Sequence, residues 1–159
     1  MEKEYLSWDD VSRLIDRIVP RVPGHFDALI AITRGGIIPG GLLGERLRVA
    51  PVFVASVYFF HEEDQTLDWP IFLQFPDDNL LHGKRVLVVD DIWDTGVTIT
   101  NVRERVLQAG GEPVTLVLHY RPSSSRVPSD QTPDIYGEKT ENYIVYPWEP
   151  GRRKLGMEG

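Results

Sequence analysis

Residues 85–109 read RVLVVDDIWDTGVTITNVRERVLQA, and this stretch decides the fold. Arg85 to Val89 is a short aliphatic run of the kind that a parallel sheet buries on both faces, and it ends on Asp90-Asp91. From Thr98 to Ala109, Val102, Val106 and Leu107 fall in helical register, and Gly110-Gly111 supplies the stop. A buried strand, a turn and a helix in that order form part of a βαβ unit, so similar units are expected on either side.

They are legible in both directions. Ser7 precedes Val11, Leu14, Ile15 and Ile18 at helical spacing, with Asp10 three residues on as in a capping box, which predicts an amphipathic helix over Ser7 to Val19. Pro20, Pro23 and Gly24 break it, and Asp27 to Thr33 (DALIAIT) follows as a buried strand. A second helix is expected from about Pro39 to Leu47, and a second strand over Ala50 to Phe60, which is rich in β-branched and aromatic residues. Between Phe60 and Gly83 no period is sustained, which predicts a long loop or an irregular hairpin, more often functional than accidental in a small domain. Val114 to Leu118 is another buried strand, Arg121 to Asp134 a Pro- and Ser-rich loop, and Asn142 to Tyr146 a last short strand. Strands alternating with helices predict an α/β fold with a mostly parallel central sheet flanked by helices.

Composition narrows the function. The chain has 159 residues, 24 acidic against 17 basic side chains for a net charge of −7, 42% hydrophobic residues and no cysteine. That size predicts one domain over residues 1–159 with a real core. The acidity argues against a nucleic-acid binder, whose affinity comes from clustered Lys and Arg. Thiolate chemistry, disulfides and cysteine zinc sites are excluded. Met1 to Asp10 lacks the pattern of a secretory signal, and the longest mostly apolar stretch, Val52 to Phe60, is too short to span a bilayer, so a cytoplasmic protein without a membrane partner is expected. Six acids and no base lie between Phe59 and Gly83, leaving 18 acids against 17 bases elsewhere. The acidity therefore belongs to one segment.

Ligands of open parallel sheets bind at the carboxyl ends of the strands. There the third predicted strand delivers three carboxylates, a glycine and three threonines in VDDIWDTGVTIT, Val89 to Thr100. Adjacent carboxylates repel unless a cation, sugar hydroxyls or other donors occupy the site. The turn Asp94-Thr95-Gly96-Val97-Thr98 can point backbone amides inward at a helix start, a cradle suited to phosphate. Each acid taken singly reads as well as a solvated turn residue, with Thr98 as an N-cap; the string together meets several demands of a sugar-phosphate site. Receiver domains also place paired acids after strands, but the first strand here ends in no acid pair. Neither GK[ST] nor GxGxxG after a strand is present.

VLVVDDIWDTGVTI, Val86 to Ile99, resembles the phosphoribosyl-pyrophosphate signature of the type I phosphoribosyltransferases. ITRGGIIPGGLLGERL, Ile32 to Leu47, is similar to the first-strand loop and following helix of the xanthine-guanine members, and HYRP, His119 to Pro122, with NYIVYPWE, Asn142 to Glu149, resembles their base-binding end. The resemblance implies a Rossmann-like sheet with a flexible hood loop over residues 60–83. It implies transfer of the phosphoribosyl group from phosphoribosyl pyrophosphate to N9 of a 6-oxopurine, with Mg²⁺ as cofactor, in a homodimer or homotetramer.

The same resemblance assigns residues. Arg34, Gly35 and Gly36 would meet the pyrophosphate. Asp90 and Asp91 would take the ribose hydroxyls, with Asp91 at the metal, and the binding string continues through Ile92, Trp93 and Asp94. Thr95, Gly96, Val97 and Thr98 would hold the 5′-phosphate. Asp94 would lie at purine N7, Arg121 at the 6-oxo group in place of a lysine, Tyr143 stacked on the base, and Ile144 presenting its carbonyl to the exocyclic edge. Asp94 and Asp91 are then the catalytic pair. The Arg34-Gly35 peptide is expected to be unusual. Trp148 is expected to be structural, and Arg152, Arg153 and Lys154 a solvated tail. One departure stands out: relatives bring a Lys or Arg from the hood to the pyrophosphate, yet no such residue occurs between Arg48 and Lys84. A nucleotide-binding regulator that has lost transfer, and a transferase for another base, remain the alternatives.

Overall fold

The structure is a computed structural model that describes residues 1–60 and 69–149. Residues 150–159, with the expected basic tail, and 61–68 of the expected hood lie outside the described residues. The elements run β1 (Lys3–Tyr5), α1 (Trp8–Ile18), β2 (Ala28–Ile32), α2 (Ile37–Leu47), β3 (Val52–Phe60), β4 (Trp69–Gln74), β5 (Arg85–Trp93), α3 (Val97–Gln108), β6 (Glu112–Tyr120), β7 (Ile135–Lys139) and β8 (Tyr143–Val145). Six strands form a sheet in the order β4-β3-β2-β5-β6-β7, parallel except for the antiparallel pair β3–β4.

Alternation along the central strands sorts the core into two layers. Leu29, Ala31, Leu87, Val89, Leu116 and Leu118 pack on one face with Val11, Leu14, Ile15 and Ile18 of α1 and Leu43 of α2. Ile30, Ile32, Val86, Val88 and Val117 face the other way, against Ile99, Val102 and Val106 of α3. The aliphatic runs read as two-sided strands are buried on both sides for this reason.

Local chemistry sets the helix ends. Ser7 caps α1: its Oγ accepts from the Asp10 amide at 3.1 Å, and Asp10 Oδ2 accepts from the Ser7 amide at 2.7 Å. Ser7→Ala should cost about 1 kcal/mol, lowering the melting temperature by roughly 2–4 °C. Unchanged melting would mean that α1 is held by its buried face alone. At α3 the cap is Gly96, not Thr98, with φ +79°, a left-handed conformation that glycine tolerates. An added Cβ would meet Trp93 Nε1 at 2.4 Å, so glycine is demanded twice.

Several expectations need correction. β5 does not end on the acid pair but runs through it to Trp93, because β6 continues beside it as far as Tyr120. After Phe60 the expected irregular hairpin is present, since β4 pairs antiparallel with β3 through a register shift, and its apolar side chains alternate between exposed Trp69, Ile71 and Leu73 and half-buried Pro70 and Phe72. β1 and β7 went unforeseen. The three residues of β1 are all exposed and mostly charged, and their partner is β8, so no local period marks them.

Candidate functional site

The strand order reverses at β2, which has β3 on one side and β5 on the other. That switch point opens a crevice at the carboxyl ends of β2 and β5. Two turns straddle it, Thr33 to Gly36 after β2 and Asp94 to Gly96 after β5.

Thr33 to Gly36 leaves the sheet sharply, with the Gly36 amide donating to Ile32 O at 2.8 Å. The non-proline cis bond is Thr33–Arg34, one peptide earlier than expected. Reversal begins there because the Gly36 amide already closes on the last residue of β2. The two glycines answer to close approach: a Cβ on Gly36 would lie 2.5 Å from Val89 O, and one on Gly35 2.2 Å from Asp91 Oδ2. The turn after β2 is thus pressed against the acid of β5. Arg34 is exposed.

Asp90 and Asp91 are half-buried and in sequence contact. Their carboxylates accept short backbone bonds, Asp91 N to Asp90 Oδ1 at 2.8 Å and Ile92 N to Asp91 Oδ1 at 2.7 Å. No Lys, Arg or His among the described residues pairs with either. Burial, then the charge of Asp91, raises the Asp90 carboxyl well above its ordinary range. Burial pushes Asp91 up to about 6, with Glu149 adding repulsion. Desolvated acids without a cation fit a hard divalent ion, which takes one or two carboxylates and keeps ligand oxygens and waters.

Beyond the acids, the Thr95 hydroxyl accepts from Val97 N at 3.3 Å, and Gly96 turns the chain into α3. The first-turn amides of Thr98 and Ile99 have no acceptor within the helix, and the helix dipole favours an anion there. Ile92 is half-buried, whereas Trp93 is 0% exposed beneath Gly96. Its indole is edge-on to Tyr120 at 6.1 Å, so only its backbone is left for a ligand.

Asp94 and Arg121 come together. Arg121, 3% exposed, donates from Nη1 to Asp94 Oδ1 at 3.1 Å and from Nη2 to the carbonyl of Asn142, and its Nε has no partner among the described residues. A buried donor beside a half-exposed acceptor offers complementary groups to one edge of a heterocycle. Tyr143 stands at the surface on β8, 38% exposed, so it is not core. Tyr143 N donates to Glu2 O and Val145 O accepts from Leu6 N, so the alternation of the parallel ladder turns the Ile144 carbonyl to the edge away from β1. The Ile144 side chain itself is buried.

Glu149 escaped the sequence reading as a site residue. Its carboxylate accepts from the Tyr146 amide at 3.1 Å and adds to the negative field at Asp91. The signal was the acid of YPWE. Trp148 stacks on Tyr146 with centroids 4.6 Å apart, in keeping with a structural part.

The phosphoribosyl transferase domain model matches residues 2–152. A xanthine-guanine phosphoribosyltransferase of Chromohalobacter salexigens is 31% identical over 150 residues, covering 92% of this chain and 83% of that protein. The crystal structure of a purine phosphoribosyltransferase from Pyrococcus horikoshii superposes with a TM-score of 0.78 at 34% identity, covering 94% of this chain and 95% of that one. A Neisseria gonorrhoeae protein with bound ppGpp superposes at 0.80 with 26% identity, covering 99% and 97%.

Proposed function

We propose, since this chain belongs to the phosphoribosyl transferase domain family, that it transfers the 5-phosphoribosyl group from phosphoribosyl pyrophosphate to N9 of a 6-oxopurine, releasing pyrophosphate and a nucleoside monophosphate. The observation that carries this reading is the turn after β5, where carboxylates with no basic partner among the described residues, open helix-start amides and the Asp94–Arg121 pair follow one another.

In this reading the amides of Thr95 to Thr98 bind the 5′-phosphate and Asp90 and Asp91 accept from the ribose hydroxyls. Asp91, directly or through water, is the residue to hold Mg²⁺, which when bound neutralises charge on the pyrophosphate. The Gly35 amide, with the Arg34 charge, meets that pyrophosphate as it leaves, while the Gly36 amide holds the turn to Ile32 O. Bond cleavage runs ahead of bond formation at C1′, so the developing positive charge lies beside Asp90 and Asp91. Catalysis then consists of alignment and fixed electrostatics. Asp94 accepts the N7 proton as N9 attacks, and Arg121 donates to the 6-oxo group. An amino group at that position would face a donor with a donor, which sets 6-oxopurines above adenine. Tyr143 covers the ring and the Ile144 carbonyl meets its exocyclic edge. A homodimer or homotetramer in the cytoplasm completes the reading.

Incubation with phosphoribosyl pyrophosphate, Mg²⁺ and guanine, xanthine, hypoxanthine or adenine separately tests it. Nucleotide should form with at least one 6-oxopurine and far more slowly with adenine. The ppGpp-bound relative favours one second reading, a nucleotide-binding regulator; tight phosphoribosyl-pyrophosphate binding with no turnover of any base would establish it instead. Arg121→Ala should raise KM for the base by about 10-fold or more, as a charged hydrogen bond is lost, with KM for phosphoribosyl pyrophosphate changed far less. Equal shifts in both would make Arg121 structural.

A further inference from the structure

Behind the acid pair lies a buried chain of polar groups that the proposed reaction does not use. Val89 is the last residue of β5 in register with β2. Two residues on, the carbonyl oxygen of Asp91 takes a side-chain donor: the Tyr146 hydroxyl, at 3.0 Å. That hydroxyl lies 2.7 Å from His119 Nδ1. A phenol has one proton, and a carbonyl can only accept, so the Tyr146 proton goes to Asp91 and its oxygen accepts from His119 Nδ1–H. The imidazole is therefore fixed as the Nδ1–H tautomer.

The chain is rigid. Tyr146 is 1% exposed and His119 2% exposed. The tyrosine ring stacks on Trp148 at an interplanar angle of 5° and meets the His119 ring at 5.5 Å. Burial lowers the His119 pKa against the opposing pull of Glu138 on β7 and Glu4 on β1, with Arg121 acting in the same sense as burial. Since β8 leads into Tyr146 and β6 carries His119, two elements otherwise concerned with the base converge on one peptide of the sugar site.

We propose that Tyr146, oriented by His119, is the positioning residue for Asp91: its hydroxyl pins the Asp91 peptide and so aims the Asp91 carboxylate at the ribose and its metal. The inference rests on the placement of phosphoribosyl pyrophosphate given above. Its prediction is specific to the sugar side, because neither the Asp94–Arg121 pair nor Tyr143 depends on this hydroxyl.

The test compares Tyr146→Phe, His119→Leu and His119→Asn with the wild type. Calorimetry gives the affinity for phosphoribosyl pyrophosphate in Mg²⁺, and steady-state kinetics give the two KM values. An Asn amide places a donor near the position of Nδ1, whereas Leu keeps the bulk and removes it. Tyr146→Phe and His119→Leu should bind phosphoribosyl pyrophosphate about 10-fold more weakly, the loss expected when a buried carbonyl is left unpaired or its donor unaimed. KM for the base should stay within about twofold, and His119→Asn should restore most of the affinity. Thermal melts report folding, and if Tyr146→Phe does not melt cooperatively the His119 pair makes the same comparison with the tyrosine stack intact. Unchanged affinity in Tyr146→Phe, a parallel rise in both KM values, or failure of His119→Asn to rescue would overturn the proposal. A wild-type protein that does not bind phosphoribosyl pyrophosphate would overturn the reading of the sugar site itself, a separate result.

Discussion

Asp91→Asn should remove most of the turnover and at the same time make the protein more stable. A carboxyl with an ordinary pKa of 3.8 is held near 6 here by burial, so the folded chain binds that proton more tightly than the unfolded chain does. Below about pH 4 both states are protonated and the group contributes nothing. Between about 4 and 6 stability falls as pH rises, and above 6 the whole penalty is present. A shift of that size corresponds to at most about 3 kcal/mol, and sharing with Asp90 leaves about 1–2 kcal/mol. The amide oxygen of Asn can still accept from Ile92 N, so the backbone bond survives. At pH 7.5 the variant should melt roughly 3–6 °C higher than the wild type, with the gain gone near pH 4. Its kcat/KM for phosphoribosyl pyrophosphate should fall about 100-fold or more, the scale on which one preorganised charge acts in a dry site. Unaltered kinetics would take Asp91 out of the site; a loss of activity with a lower melting temperature would mean that the acid stabilises the fold.

The second large effect comes from a methyl group. In Gly35→Ala the new Cβ would stand 2.2 Å from Asp91 Oδ2 and 2.4 Å from its Cγ, closer than real contacts allow. Either the turn after β2 or the carboxylate has to move by about 1 Å, and misplacement on that scale costs roughly 100-fold in rate. Gly41→Ala is the matched control, because a Cβ there meets nothing within 4 Å. Placed in α2, it should stabilise by about 0.5–1 kcal/mol and leave turnover alone. Equal activity of the two variants would show that the contact between the turn and Asp91 has no catalytic consequence.

The reach of the sequence had a physical limit. Its most local features were legible: the capping box at Ser7, the two-sided strands, and the turn from Asp94 to Thr98, since each is written within about a dozen consecutive residues. Trp93 shows where locality misleads. It stands inside the binding string, yet strand alternation and the β6 partner drive it into the core under Gly96. Tyr146 and His119 could not be assigned from the chain alone. Their meaning lies in pairings such as His119 with Tyr146 and Tyr146 with Asp91, across 27 and 55 residues of sequence, which no period records. Arg121 is a candidate by resemblance alone, and its bond to Asp94 required the fold.

The parallel pair of β1 and β8 matches Lys3 with Tyr143, Glu4 with Ile144 and Tyr5 with Val145. The strand expected to receive the purine is thus docked on a strand that precedes it by some 140 residues, and it is made after β5. During synthesis the cradle after β5 can assemble while the acceptor side has no strand to build on. A nascent chain would therefore form its phosphate turn before it has either the strand for the base or the Tyr146 hydroxyl that pins Asp91.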